Sequence, residues 1–281
     1  MIKTPLSTVL GGAFWTPEAT VINGAKLSFE IVMKKLFTNG EQGFWYDPND
    51  MGTMFRDAAG AVPVTAVGQP VGLIRDKSGR NNHAFQTTSA SRPILRQNAV
   101  TGAYYLEFDG SDDFLQTNNI NFSNTAKVSV FAAIRKLSTV AGMVFELSNN
   151  LSLNNGSFYL ASPAGTTQPN QVTFVNKGTS FIVAQNPNIP PPMNVVISAK
   201  GGISTNTTSL RTNGTLFLGE PGLGTGNYGN YPLYIGRRAG TLLPFNGHIY
   251  GLIGVGKLAS DNETVAIEKE LAKRLGVTLN V

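Results

Sequence analysis

The sequence predicts an all-β protein built as a two-sheet antiparallel sandwich, with an N-terminal arm and one short C-terminal helix. Short β-rich runs bounded by Asn, Gly, Pro or Ser recur at close intervals through residues 126–199, a spacing typical of such a sandwich or of a barrel. Two other stretches, 103–117 and 231–255, share a pattern of apolar run, turn and second apolar run. We expect these early and late stretches to meet in the folded protein.

Composition narrows the classes of function. The chain has 281 residues, and its even texture after residue 42 favours one large domain with a short appendage over two small domains. It has no cysteine, which excludes disulfides, thiol catalysis and thiolate metal sites. The formal charge of +5 comes from scattered Lys and Arg without a basic stripe, so we expect no nucleic-acid partner.

We also expect no membrane partner. No run of the sequence approaches the roughly 20 apolar residues that a membrane-spanning helix needs. The first residues carry one Lys and a broken apolar stretch, too weak a pattern for a secretory signal peptide. These features predict synthesis and folding in a cytoplasm.

The first predicted segment is an arm over residues 1–42. Apolar residues at helical spacing predict a short amphipathic helix near 25–38, although Leu27, Phe29 and Ile31 also alternate as in a strand. This apolar face either packs on its own sandwich or docks on a neighbouring subunit. The side chains predicted to dock are Phe29, Val32, Met33, Leu36 and Phe37.

The second predicted segment is the sandwich domain, residues 43–281. Its first part follows a sheet edge, because Pro63 and Pro70 exclude a central strand and the stretch 76–79, Asp-Lys-Ser-Gly, favours a tight turn. Strand-like runs then follow the 103–117 stretch. They cover residues 126–134, 142–147, 157–160, 171–175, 180–184 and 193–199.

Local signals define the last third of the chain. Asn213-Gly214 between two strand-like runs predicts a hairpin with a type I′ turn. The Gly-rich stretch 219–231 predicts a surface loop. Ser260 and Glu263 form a capping-box pattern and Gly276 a stop, which together predict the C-terminal helix.

Six short motifs follow one another along the chain, namely DKSGRNNH (76–83), LEFDGSDDF (106–114), LRTNG (210–214), LYIG (233–236), FNGHIYG (245–251) and LASDNE (258–263). In this order they resemble the laminin-G-like branch of the concanavalin A-like lectin and glucanase fold, over roughly residues 44–276. The resemblance implies a two-sheet jelly roll. The stretch 44–96, with WYDP, FRDAAG and SRPIL, is also similar to a group of tailed-bacteriophage virion proteins.

The resemblance implies a non-enzymatic virion structural protein, tail-associated or capsid-decorating, that assembles through its arm with other virion proteins and copies of itself. Its expected location is the virion, after synthesis in the host bacterial cytoplasm. The alternative is a carbohydrate-binding module that recognises a host surface glycan with loops near 149–156 and 219–231. Lectins, hydrolases and scaffold proteins all use this fold, so the fold alone does not distinguish between these roles.

Tyr228 and Tyr231 are the candidate ligand-binding residues. They lie in or beside the Gly- and Asn-rich loop, where aromatic faces and adaptable amides suit protein or sugar contacts. The competing interpretation is a flexible loop that ends in a buried Tyr.

Acidic residues in the 103–117 stretch suggest two further kinds of site. Glu107, Asp109 and Asp112 nearly reproduce the spaced acids of retaining glucanases, but the third acid is Asp rather than Glu, which makes a glycoside hydrolase the less favoured alternative. Asp109, Asp112 and Asp113 are the candidate Ca²⁺ ligands, since this cation prefers clustered carboxylate oxygens. Equally, Asp in a Gly-Ser turn caps backbone amides. No other cofactor is expected.

Overall fold

The computed structural model describes residues 28–165 and 167–280. These residues form helices α1 (Phe29–Leu36) and α2 (Asp261–Leu275), and 3₁₀ turns at Met51–Thr53 and Ser89–Ser91. Neither helix of the described ranges is long and apolar enough to cross a membrane. The strands are β1 (Gly43–Tyr46), β2 (Met54–Phe55), β3 (Leu73–Ile74), β4 (Ala84–Phe85), β5 (Ile94–Gln97), β6 (Tyr104–Asp109), β7 (Leu115–Asn121), β8 (Lys127–Lys136), β9 (Met143–Leu147), β10 (Ser157–Ala161), β11 (Val172–Lys177), β12 (Phe181–Asn186), β13 (Met193–Gly202), β14 (Thr207–Thr212), β15 (Thr215–Leu218), β16 (Asn230–Ile235) and β17 (Asn246–Val255).

The strands form two antiparallel sheets. The eight-stranded sheet has the order β15-β14-β13-β8-β17-β6-β5, with β1 also paired to β17. The nine-stranded sheet has the order β12-β11-β10-β9-β16-β7-β4-β3-β2. Alternate side chains of both sheets meet in one apolar core, in which Phe158 makes edge-on ring contacts with Phe122, Phe145 and Tyr228. The predicted all-β jelly-roll sandwich is confirmed.

The early and late stretches meet as expected. Strand β6 pairs with β17, with Leu106 opposite Ile249, and β7 pairs with β16, with Leu115 opposite Ile235. Each stretch therefore crosses from one sheet to the other, and the two crossings lie side by side.

The local signals also give the structures they predict. Asn213 and Gly214 have φ angles of 47° and 89° in the turn between β14 and β15, the left-handed backbone that a type I′ hairpin requires. At α2, Ser260 Oγ accepts from the Glu263 N–H, and Glu263 Oε2 accepts from the Ser260 N–H at 2.7 Å. Gly276 ends the helix with φ of 68°.

Helix α1 corrects the prediction of a docking arm. It begins at Phe29, because Ser28 Oγ accepts from the Ile31 N–H and caps it. Its apolar face packs against α2 and the outer face of the eight-stranded sheet. The side chains predicted to contact a neighbour are therefore buried or half-buried within this chain, namely Phe29, Val32, Met33, Leu36 and Phe37. Residues 28–42 belong to the folded body, and residues 1–27 lie outside the described ranges.

A buried ion pair fixes both helices on the sheet. Arg274 near the end of α2 donates to both carboxylate oxygens of Asp47, which follows β1, at 2.7 and 3.3 Å. The same guanidinium donates to the Tyr250 carbonyl at 3.2 Å and lies 5.5 Å from the centre of the Phe29 ring in α1. Both charged residues are buried. The ion pair therefore adds a polar link to the apolar cluster that the two helices share.

We expect Asp47→Asn to lower the free energy of unfolding by about 2 kcal/mol, because the buried Arg274 charge loses its bidentate carboxylate and keeps only Glu270, whose Oε1 lies 3.7 Å from Arg274 Nε. The amide oxygen still serves as an acceptor for the Asn49 N–H, which Asp47 holds at 3.0 Å. Denaturant titration followed by circular dichroism measures the change. The half-exposed pair Arg96–Glu107 is the control, and Glu107→Gln is expected to cost under about 1 kcal/mol. Equal effects of the two substitutions would contradict this role of Asp47.

Candidate functional site

A groove of about 330 Å³ lies on the outer face of the nine-stranded sheet. Strand β10, strand β11, the first residue of β12 and the loop before β10 form it. It combines aromatic, apolar, cationic and polar groups. The residues that line it are Leu151, Ser152, Tyr159, Val175, Lys177 and Phe181.

Strand alternation explains which side chains reach the groove. On β10, Phe158 and Leu160 belong to the core, so Tyr159 between them faces outward. On β11, Phe174 belongs to the core and Val175 faces outward, directly opposite Tyr159. The floor of the groove therefore rests on paired strands.

The loop before β10 is fixed by its own polar groups. Asn154 Oδ1 accepts from the backbone N–H groups of Asn149 and Asn150 at 2.9 and 2.8 Å, which closes the turn. The Lys177 ammonium then donates to the carbonyls of Leu151 and Ser152 at 2.6 and 3.2 Å. One wall of the groove is thus tied to strand β11.

Two aromatic rings give the groove an apolar surface. Phe181 begins the edge strand β12 and is 63% exposed, unusual for a side chain of this size. Tyr159 is half-buried, and the guanidinium of Arg238 lies 4.9 Å from the centre of its ring. An exposed ring beside hydrogen-bonding groups suits a ligand with both an apolar face and a polar rim.

A buried carboxyl lies one strand away from Tyr159. Glu146 on β9 is opposite both Tyr159 and Tyr234, and its residue is 0% exposed. Its Oε2 accepts from Arg238 Nε at 2.6 Å, while its Oε1 has no partner among the residues that the structure describes. Burial raises the pKa of Glu146. The Arg238 charge is therefore balanced within the sheet surface.

A second depression, of about 400 Å³, lies beside the end of α1. It is lined largely by amide and backbone groups, including those of Asn39, Gln42, Asn121 and Asn124. Its one aromatic residue, Phe122, is completely buried and offers no exposed ring. This depression is larger than the groove on β10 and β11 but lacks an apolar platform, so the groove is the better ligand site.

The structure places Tyr228 inside the core and corrects its prediction as a ligand-binding residue. It is 2% exposed, its ring packs edge-on against Phe158, and its hydroxyl donates to Asn176 Oδ1 at 2.7 Å. Burial raises its pKa well above the ordinary value.

Tyr231 is half-buried and donates to the Asn155 carbonyl at 2.9 Å, which ties β16 to the loop before β10. Neither Tyr lines the groove.

The predicted Ca²⁺ ligands do come together. One carboxylate oxygen from each of Asp109, Asp112 and Asp113 lies within 4.8 Å of the others. Asp109 Oδ1 accepts from the Ser111 N–H at 2.8 Å and Asp113 Oδ2 accepts from the Asp109 N–H at 3.1 Å, so the turn uses these oxygens as caps. The donor set fits Ca²⁺ chemically, and its binding of the cation stays a prediction.

The acids considered for glycoside hydrolysis have structural partners. Glu107 accepts from Arg96 Nε at 2.6 Å, and Asp112 accepts from Ser91 Oγ at 2.6 Å. They lie on and after β6 in the eight-stranded sheet, whereas the groove lies on the nine-stranded sheet. The groove and these acids are therefore separate features.

No family of known proteins matches the sequence, and no curated protein is detectably similar to it. Solved structures do match in fold. The receptor-binding domain of botulinum neurotoxin D superposes with a TM-score of 0.52 at 13% identity, over 70% of this chain and 49% of that chain. The serotype D ligand-binding domain in complex with N-acetylneuraminic acid gives 0.52 at 12%, over 70% and 48%.

The binding domain of botulinum neurotoxin DC in complex with rat synaptotagmin II is also similar, with a TM-score of 0.51 at 13% identity, over 70% and 49% of the two chains. This protein spans about half the length of each of these chains. The likeness shows the fold class, a jelly-roll sandwich also used by receptor-binding domains.

The acidic cluster makes stability depend on pH. Burial, and then the neighbouring Asp109 charge, raises the pKa of Asp113 to about 6. Between about pH 4 and about pH 6, Asp113 is protonated in the folded state and ionised in the unfolded state. The free energy of unfolding therefore falls as pH rises through this range. Asp113→Asn keeps an acceptor and stays neutral, so we expect the variant to be more stable than the wild type at pH 7 and equal to it below pH 4.

Thermal unfolding at pH steps between 3.5 and 7.5 checks this expectation. Asp57 is the matched control, because hydrogen bonds from the backbone N–H groups of Ala61 and Val62 lower its pKa. Asp57→Asn is thus expected to change stability in the opposite direction at neutral pH. Parallel pH profiles for wild type and Asp113→Asn would disprove the role of Asp113.

Proposed function

We propose that this chain is a non-enzymatic binding protein that recognises a glycan in the groove on β10 and β11, and that it is displayed on a bacteriophage particle. The observation that carries the glycan proposal is the exposed Phe181 ring beside Tyr159 and a set of fixed polar groups. A sugar ring has an apolar C–H face and a rim of hydroxyls, and this groove offers a partner to each.

The chemical groups in and beside the groove favour binding over catalysis. Its polar groups are the Lys177 ammonium and the backbone carbonyls of a closed turn, which suit recognition of hydroxyls and charge. The one nearby carboxyl, Glu146, is completely buried and paired with Arg238. Domains of similar fold include receptor-binding and ligand-binding domains, which is compatible with this role.

Display on a virion is supported by the resemblance of residues 44–96 to tailed-phage virion proteins. The apolar face of α1 packs within the chain, so we propose that the contact with a neighbour uses other surfaces. Other virion proteins and further copies of the chain are the proposed partners. Tail-associated and capsid-decorating positions are both compatible with a sandwich that presents a groove outward.

Glycan-array binding with the full chain tests recognition. We expect Phe181→Ala to weaken binding about tenfold, because the variant loses the exposed aromatic face. Val100→Ala is the control, since Val100 is also an exposed apolar residue, at 92%, but lies between β5 and β6. Tyr228→Phe is expected to leave binding unchanged. If the wild type binds no glycan, or if Phe181→Ala binds as well as Val100→Ala, the proposal fails.

The placement on a particle has a separate test. We expect mass spectrometry of gradient-purified particles, from the phage that encodes this chain, to detect it in multiple copies. Recovery of the chain only among the free proteins of the lysate would contradict a virion role while leaving the groove and its ligand unaffected.

A further inference from the structure

Lys177 gives the groove an unbalanced positive charge. It lines the groove although the residue as a whole is only 7% exposed. Among the residues that the structure describes, no Asp or Glu forms an ion pair with its ammonium. A largely buried cation without a counter-ion is costly unless hydrogen bonds to its N–H groups compensate for the lost solvation.

Among the described residues, Lys177 finds hydrogen-bond acceptors for only two of its three N–H groups. An ammonium has three N–H groups, and the carbonyls of Leu151 and Ser152 accept two of them. Lys136 offers a comparison within the same chain, because its completely buried ammonium meets three carbonyls, those of Pro169, Gln171 and Ile189. All three N–H groups of Lys136 have a carbonyl acceptor, so its role is structural. Lys177 is also held by backbone carbonyls, but by two instead of three.

The groups around Lys177 indicate what kind of ligand would pair with its ammonium. The other nearby cation, Arg238, is balanced by Glu146 at 2.6 Å, so it adds no net charge to the sheet surface. Tyr159 and Phe181 supply the apolar surface of the same groove. The complement is therefore a ring that has an apolar face and carries an anionic oxygen.

We propose that the groove selects acidic sugars, with the sugar carboxylate accepting from the Lys177 ammonium and the sugar ring lying against Tyr159 and Phe181. This inference rests on the proposed glycan-binding function and names the class of sugar. The carbonyls of Leu151 and Ser152 hold the ammonium in position before the ligand arrives, which limits the side-chain entropy lost on binding.

A panel of paired oligosaccharides tests the selection. Each acidic oligosaccharide is presented to the full chain twice at one ionic strength, with its carboxylates free and with them reduced to hydroxymethyl groups. We expect the wild type to prefer the free acid by about tenfold, the size of one charge-assisted hydrogen bond. In Lys177→Met the ratio is expected to fall to about one, and in Lys177→Arg the preference is expected to remain.

The ratio is the useful readout because Lys177 also holds the loop before β10. A purely structural role would weaken both members of a pair equally and leave their ratio unchanged. Lys127→Met is the matched control, since Lys127 is an exposed lysine at the start of β8, and it is expected to keep the wild-type ratio. Thermal unfolding of each variant confirms that it is folded.

The outcomes separate the two proposals. Equal binding of both members of every pair by the wild type overturns the selection of acidic sugars and leaves glycan recognition standing. A preference that survives in Lys177→Met, or that Lys127→Met removes, also overturns it. Binding of no glycan, acidic or neutral, overturns the proposed function and this inference with it.

Discussion

The buried ion pair of Arg274 with Asp47 anchors the helical layer on one face of the sandwich. It holds the end of α2 against the strand that begins the body, and α1 packs in the same cluster. The two helices thereby cover the outer face of the eight-stranded sheet. The corresponding face of the nine-stranded sheet carries the groove, so one face of the molecule serves stability and the other is available for binding.

The sequence predicted those parts of the fold that local chemistry determines. Asn213-Gly214 forms its hairpin because both residues tolerate positive φ, and the Ser260 cap needs only a partner three residues away. The pairing of β6 with β17 was also predictable, since two stretches of the same pattern had to bury equivalent faces. The burial of α1 within its own chain was not decided by sequence, because an amphipathic helix fits any apolar surface.

The candidate binding groove was less predictable for the same reason. Tyr228 lies in a Gly-rich loop, where composition favours exposure. In the structure its hydroxyl donates a hydrogen bond in the core to Asn176, 52 positions away. Alternation within SFYLA identifies Tyr159 as opposite in orientation to Phe158 and Leu160. The sequence does not say which outward-facing set remains uncovered, because that depends on where the two helices pack.

A groove built on paired strands has different properties from one built on loops. Tyr159 and Val175 are held opposite each other by sheet hydrogen bonds, and Lys177 is held by two carbonyls, so the proposed ligand would immobilise few side-chain torsions. A rigid surface of this kind discriminates by charge and shape rather than by adapting to many ligands. Under the proposed selection of acidic sugars, the third N–H of Lys177, which has no acceptor within residues 28–165 and 167–280, becomes decisive, because a groove that cannot rearrange must either satisfy that donor with the ligand or leave it unpaired.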